Sequence, residues 1–205
     1  MICPKVGSPI VSNKTPRMKP FILASASPRR RDLLAQIGLV PDKIIPADIN
    51  EDPITGELPR DHALRLSCEK AAKVAGDHPG RVILASDTVV GLGRRILPKA
   101  EDRETAESCL RLLSGRSHRV FTGVAVIDET GLLRSRISET RLKMKRLSEA
   151  EISEYLESGE WDGKAGGYGI QGLGGAYIIN LAGSFTGVVG LPVYETRNLL
   201  MAACS

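Results

Sequence analysis

The stretch Val82-Ile83-Leu84-Ala85-Ser86-Asp87-Thr88-Val89-Val90 decides how the rest of the chain is read. Apolar residues run without alternation on either side of three polar ones, the pattern of a strand covered on both faces. Such a strand belongs in a sheet layered between helices, and its neighbours in sequence supply them. Upstream, Phe21-Ile22-Leu23-Ala24 is a shorter apolar run read as a buried strand, and Ser27-Pro28 places an N-cap before a proline at the first helical position. The helix that follows runs through Leu33, Leu34 and Ile37 and stops at Gly38. A second strand is expected over 43–49, then a longer helix over 59–75 with Leu64, Cys68, Ala71 and Ala75 on one face.

Downstream the periodicity predicts a helix over 101–113, through Ala106, Cys109, Leu110 and Leu113. Two β-rich stretches, 118–127 and 132–144, are joined by the turn Glu129-Thr130-Gly131. Ser148-Glu149-Ala150-Glu151 is a capping box, opening a helix that buries Ile152, Tyr155 and Leu156. A strand over 176–181 and a last helix over 191–203 complete the pattern. Strands and helices alternate unevenly, with antiparallel pairing in the middle, so the expected fold is α/β around a mixed sheet without internal repeats.

Composition narrows the classes. A chain of 205 residues with 42% hydrophobic content can bury one sizeable core, and residues 20–205 are read as a single domain. Residues 1–19 mix proline and glycine with polar residues and are read as a flexible extension, with Met18 as an alternative start. The formal charge of +4 suits an anionic small molecule better than a nucleic-acid groove, and 4% aromatic residues leave no base-stacking platform. The four cysteines, at 3, 68, 109 and 204, have neither zinc-ligand nor disulfide-framework spacing, which points to reduced thiols in a cytoplasmic setting. No apolar run approaches the roughly 20 residues that span a bilayer, so neither membrane insertion nor export is expected.

Three places carry chemistry. In Ser25-Ala26-Ser27-Pro28-Arg29-Arg30-Arg31, three guanidinium groups crowd the first turn of a helix, where the macrodipole disfavours cations. Helix N–H groups already attract anions there, and an adjacent arginine makes the site a phosphate clamp. Arg29, directly after the cap, is assigned ligand contact; for Arg30 and Arg31, contact and solvent remain open alternatives. In the strand over 82–90, an ionised Asp87 is costly unless a cation or metal faces it, which suggests a metal-linked general base; a strand-end Asp that caps a neighbouring loop is the other reading. Strand alternation places Asp87 on the face opposite Ser86 and Thr88.

The third place is a loop over 159–175 that holds eight of the 21 glycines together with Trp161, Lys164, Tyr168 and Gln171. It contains Gly167-x-Gly169-x-x-Gly172, but the string follows a helix and leads into a strand, the reverse of a dinucleotide fingerprint. What remains is a loop whose backbone can approach a ligand, with an ammonium at Lys164 and an amide at Gln171 able to read a base edge. A merely flexible lid is the other reading. Glu51 is a metal or ribose contact or a solvated turn residue; Lys70 and Lys99, taken singly, read as surface lysines, and His118 as structural. No Ser/His/Asp order or HExxH string is present.

Taken together, LASASPRR at 23–30, SDTVV at 86–90, LSGRSHRVFTGVAV at 113–126, DGKAGGYGIQGLGG at 162–175 and GSFTGVVGLPVYET at 183–196 resemble the Maf family of nucleoside triphosphate pyrophosphatases. The resemblance covers the chain from Phe21 to about Leu200. It implies an elongated mixed sheet with two lobes and a central cleft, similar to inosine triphosphate pyrophosphatases. The implied reaction cuts a nucleoside triphosphate between its α- and β-phosphates, with Asp87 as proton acceptor and Mg²⁺ or Mn²⁺ bound through Glu51 and Asp87. Phosphate and metal contacts carry over to Ser25, Arg29, Glu51, Lys70, Lys99 and Lys164, and specificity positions to Arg29, Thr88 and Gln171.

These last three resemble the dTTP/UTP branch; the methylated-GTP branch carries a bulky aromatic where Arg29 stands. Ala100, where a proline is common, and Asn50, where an acid is common, depart from the family pattern. The implied partner is the nucleotide, with no membrane or stable nucleic-acid partner and a homodimer left open. The alternatives carried forward are a non-catalytic nucleotide- or DNA-binding regulator of septum formation and a pyrophosphatase for modified purine nucleotides such as 7-methyl-GTP.

Overall fold

The computed structural model describes residues 19–204. The expected extension therefore lies outside the described residues except for Lys19, whose ammonium pairs with Glu129 at 2.9 Å. From the start, β1 (Phe21–Leu23), α1 (Pro28–Gln36), β2 (Lys43–Ile44), α2 (Pro59–Asp77) and β3 (Val82–Leu92) form the parallel part. Then follow β4 (Arg95–Leu97), β5 (Lys99–Ala100), α3 (Arg103–Leu113), β6 (Ser117–Ile127), β7 (Leu133–Met144) and α4 (Glu149–Ser158). The last part is β8 (Lys164–Ala165), α5 (Leu173–Ala176), β9 (Ile178–Ala182), α6 (Phe185–Val189) and α7 (Val193–Cys204).

A seven-stranded sheet has the order β2-β1-β3-β6-β7-β9, with β4 added to β3; β5 and β8 form a separate two-stranded ladder. β2, β1 and β3 run parallel, whereas β3, β6, β7 and β9 pair antiparallel. The chain thus goes from β1 outward to β2 and returns past β1 to β3. Helix α1 makes the first crossover and α2 the second. In open α/β sheets the carboxyl ends of strands beside such a reversal form a ligand crevice.

Helices cover both faces of the sheet. Ala71 and Val74 of α2 pack on Ile22, Ile83, Ala85 and Ala125, while Leu33, Leu34, Leu199 and Leu200 of α1 and α7 pack on Leu23, Leu84 and Val124. That two-sided burial is why residues 82–85 read as a continuous apolar run. A further core around Leu110, Leu142, Met144 and Tyr155 gathers α3 and α4 at the other end of β6 and β7, giving the two lobes.

Local signals account for most boundaries. The Asp102 side chain caps α3 by accepting from Thr105 N at 2.6 Å, and Ser148 with Glu151 forms the expected capping box of α4. Ser27 holds the N-cap position of α1, yet its side chain caps nothing. The second strand is only Lys43–Ile44, because Pro46 has no N–H with which to extend a ladder. The expected strand start at Ala176 is the end of α5, and the strand itself is β9. The glycine string is thus preceded by two-residue β8 and followed by one-turn α5, but β8 pairs antiparallel with β5, so no parallel βαβ unit forms.

The face assigned to the long helix needs correction. Leu64, Cys68 and Ala75 are only partly buried, and the sheet is met by His62, Ala63, Leu66, Ser67, Lys70, Ala71 and Val74. The stripe is rotated because the sheet accepts polar side chains from α2, and Lys70 among them is buried rather than a surface lysine.

Candidate active site

The floor of the site is an interrupted sheet edge. On the edge opposite β6, β1 pairs with β3 only from Val82 to Leu84, and β4 only from Val90 to Leu92. Residues 85–89 of β3 therefore lack a neighbouring strand there, and a cleft of about 800 Å³ opens along the gap. Asp87 and Thr88 line it.

Alternation along β3 sends the three polar residues to two walls. Asp87 meets α2: Lys70 Nζ lies 2.5 Å from Asp87 Oδ1 and 2.6 Å from Glu51 Oε1. The lysine and aspartate side chains are about nine-tenths buried, whereas that of Glu51 is half exposed. One ammonium thus holds two carboxylates that come from elements far apart in sequence. Burial works to raise the Glu51 pKa, but Lys70, Lys99 and Arg30 outweigh it and hold the carboxyl below its usual value.

Ser86 and Thr88 face the other way. Ser86 Oγ donates to the carbonyls of Gly123 (2.8 Å) and Gly190 (3.1 Å), and Thr88 Oγ1 accepts from Thr122 Oγ1 at 3.2 Å. Arg30 joins this wall, its Nε donating to the Gly190 carbonyl at 2.9 Å and its Nη1 to Ser25 Oγ at 2.9 Å. Burial lowers the Arg30 pKa, Asp87 and Glu51 oppose that shift and Arg29 adds to it, and the guanidinium stays charged. Arg29, partly buried beside it, makes no hydrogen bond or ion pair among the described residues. Arg31 is exposed and lies 3.7 Å from Asp32.

The ladder of β5 and β8 forms the facing wall, pairing Lys99 with Ala165 and Ala100 with Lys164. Lys99 is the first residue of this short strand and is exposed. Lys164 Nζ reaches the Asp162 carbonyl at 3.3 Å; burial, then Arg29, lowers its pKa against the pull of Asp162 and Glu160. Two glycines let the loop come this close. A Cβ at Gly166 would overlap Val90, and Gly167, at φ +69°, would press on Ala106. Tyr168 anchors the loop through His118, whose Nε2 is 2.6 Å from the phenol oxygen. Both are buried, and burial drops the His118 pKa to about 4. Gln171 is exposed at the mouth of the cleft.

All nine residues singled out from the sequence, Ser25, Arg29, Glu51, Lys70, Asp87, Thr88, Lys99, Lys164 and Gln171, line this one cleft. Arg30, left open by the sequence, lines it as well. The signal was present: Arg29 and Arg30 precede buried Leu33 and Leu34 by four residues, which puts both on the inner face of α1, whereas Arg31 precedes exposed Ala35.

The family model described as "Maf-like protein" matches residues 20–203. The chain belongs to the Maf family. Among Maf relatives, the dTTP/UTP pyrophosphatase of Caulobacter vibrioides is 59% identical over 88% of this chain and 93% of its own length. Those of Novosphingobium aromaticivorans (56%, 96% and 95%) and Maricaulis maris (60%, 88% and 86%) are comparably similar. Two solved structures align over part of the Maf chain. The nucleoside-triphosphatase / dITP/XTP pyrophosphatase of Mycobacterium abscessus has a TM-score of 0.42 at 17% identity, covering 63% of this chain and 74% of that one. The Ham1 protein of Staphylococcus aureus gives 0.44 at 14%, covering 62% and 72%.

Proposed function

We propose that this chain hydrolyses dTTP and UTP between the α- and β-phosphates, releasing a nucleoside monophosphate and pyrophosphate. The observation that carries the reading is the bridge from Asp87 through Lys70 to Glu51 on the floor of a cleft walled by Arg29, Arg30, Lys99 and Lys164. A triphosphate brings about four negative charges, and phosphoryl transfer is catalysed chiefly by positioning and by fixed positive charge. The arginines at the start of α1 and the lysines of the β5–β8 ladder approach from opposite walls, which suits a chain of phosphates lying across the gap in β3. The relatives' activity and the combination Arg29, Thr88 and Gln171 support a pyrimidine nucleotide, with the Gln171 amide free to meet the base edge.

The residues also fit a divalent cation. Among the described residues no group of three or more His, Cys, Asp or Glu side chains gathers, but Glu51 and Asp87 converge on one cation, the Lys70 ammonium. Two carboxylates plus substrate phosphates are an ordinary Mg²⁺ or Mn²⁺ donor set. Glu51 and Asp87 would hold the ion, which supplies charge neutralisation on the phosphoryl oxygens.

Asp87 orients a water toward the α-phosphorus and takes its proton. Lys70, 2.5 Å from Asp87 Oδ1, keeps that carboxylate aimed. Arg29 and Arg30 bind the charge that develops on the triphosphate, and pyrophosphate leaves along the lysine wall. A cytoplasmic location accords with described cysteines that are all unpaired. Among the described residues no helix is long and apolar enough to cross a membrane.

The test is Asp87→Asn. Pyrophosphate release from UTP with Mg²⁺ is expected to fall by about 10²–10⁴-fold while UTP still binds, as measured by calorimetry. Wild-type turnover in that variant would remove Asp87 from the role.

A further inference from the structure

Glu51 stands on a stretch that apolar contacts hold only at its start, where Ile45 and Ala47 pack against the core beside β1 and β3. Residues 45–58 join β2 to α2 without regular structure, and the large apolar side chains at Ile44 and Ile54 are 44% and 59% exposed. A different anchor is present. The Glu57 side chain is 9% exposed although charged, and its oxygens accept from Ile54 N (3.0 Å), Arg65 Nε (2.7 Å) and Arg65 Nη2 (3.0 Å), with His62 Nδ1 at 2.8 Å. Arg65 hydrogen bonds, with desolvation opposing, hold the Glu57 carboxyl down at about 2.

The same guanidinium continues in two directions. Its Nη1 donates to Glu69 at 3.0 Å, and its Nη2 donates to the carbonyl of Asp52 at 3.0 Å, the residue next to Glu51. Asp52 N in turn donates to Asn50 Oδ1 at 2.8 Å, closing the backbone on the other side of Glu51. Arg65 and Lys70 lie on one rigid helix, α2. The fork of Arg65 therefore fixes the Glu51 backbone against the helix whose lysine marks the cation position.

We propose that Arg65 and Glu57 are positioning residues that hold Glu51 in register with Asp87 at the cation site. The proposal rests on the reading of Glu51 and Asp87 as the carboxylates that bind the divalent ion. Neither Arg65 nor Glu57 lines the cleft, so both act through the loop. Planar guanidinium against carboxylate sets distance and angle together, which a lysine at the same place cannot do. Groups that orient a metal ligand typically change metal affinity by about 10–100-fold when lost.

The experiment titrates Mn²⁺ alone into the full chain, following free Mn²⁺ by electron paramagnetic resonance, with thermal unfolding recorded alongside. Glu57→Gln and Arg65→Lys are expected to weaken Mn²⁺ by about tenfold, and to raise by a similar factor the Mn²⁺ concentration giving half-maximal UTP hydrolysis. The maximal rate at saturating Mn²⁺ stays near wild type. The double variant Glu51→Gln/Glu57→Gln binds Mn²⁺ no more weakly than Glu51→Gln alone, because the clamp works through Glu51.

A clamp that merely starts α2 would lower the melting temperature and leave Mn²⁺ binding unchanged. That result in Glu57→Gln, or an additive double variant, overturns the proposal, and Glu57→Gln decides if Arg65→Lys does not fold. Wild-type Mn²⁺ binding in Glu51→Gln would instead remove the metal reading of Glu51 itself.

Discussion

Arg30 shows how a single residue can be tied to the site from two sides. Its guanidinium shares the Gly190 carbonyl with Ser86 and also donates to Ser25, so its remaining N–H groups point from a fixed plane. Arg30→Lys keeps the charge but cannot make both bonds; kcat/KM for UTP is expected to fall about tenfold, with little change in melting temperature. His118 is a different kind of residue, buried and neutral. Burial holds its pKa at about 4 in the folded chain, below the ordinary histidine value of 6.5, so between those values the unfolded chain binds the proton and the folded chain does not. Stability is therefore expected to drop as pH falls from about 6.5 to 4, and His118→Gln to flatten that limb in denaturant titrations at several pH values.

At the scale of elements, α2 carries Lys70, Arg65 and His62, and its seating depends on a missing side chain. A Cβ at Gly123 of β6 would overlap the Ala63 carbonyl and stand 2.7 Å from Ser67 Oγ. Gly123→Ala is expected to lift the helix, costing about 1–3 kcal/mol in a urea midpoint and lowering turnover with it. How much of this was legible varies by element. β3 announced itself because burial on both faces leaves an unbroken apolar run, and Asp87 stood out against it. The arginines of α1 could be phased from Leu33 and Leu34. The inner face of α2 could not be placed from bulky apolar residues, since Ser67 and Lys70 take positions that such residues would fill elsewhere. The ladder of β5 and β8 has two residues per strand, too few for any period to register, so Lys99 gave no sign of standing beside Lys164 on one wall of the cleft. The clamp of Glu57 on Arg65 joins a loop to a helix eight residues on, a pairing set by tertiary structure alone.

For the whole molecule, the net charge of +4 does not tell where the cations stand: Arg29, Arg30, Lys70, Lys99 and Lys164 line the cleft together with four acids, Glu51, Asp52, Asp87 and Glu101. Clefts that concentrate one sign of charge draw in the opposite ion, and salt screens the attraction. The KM for UTP is expected to rise several-fold between 0.05 and 0.5 M NaCl at saturating metal, with a smaller change in kcat. The open edge of β3 over residues 85–89 has one more consequence. Unpaired strand edges are where sheets from separate molecules join, and proteins guard them with charges pointing inward. Here a foreign strand docking on the gap would have to bury Arg29, Lys99 and Lys164, none of which has an ion pair among the described residues, so the cations that suit a triphosphate also oppose edge-to-edge stacking.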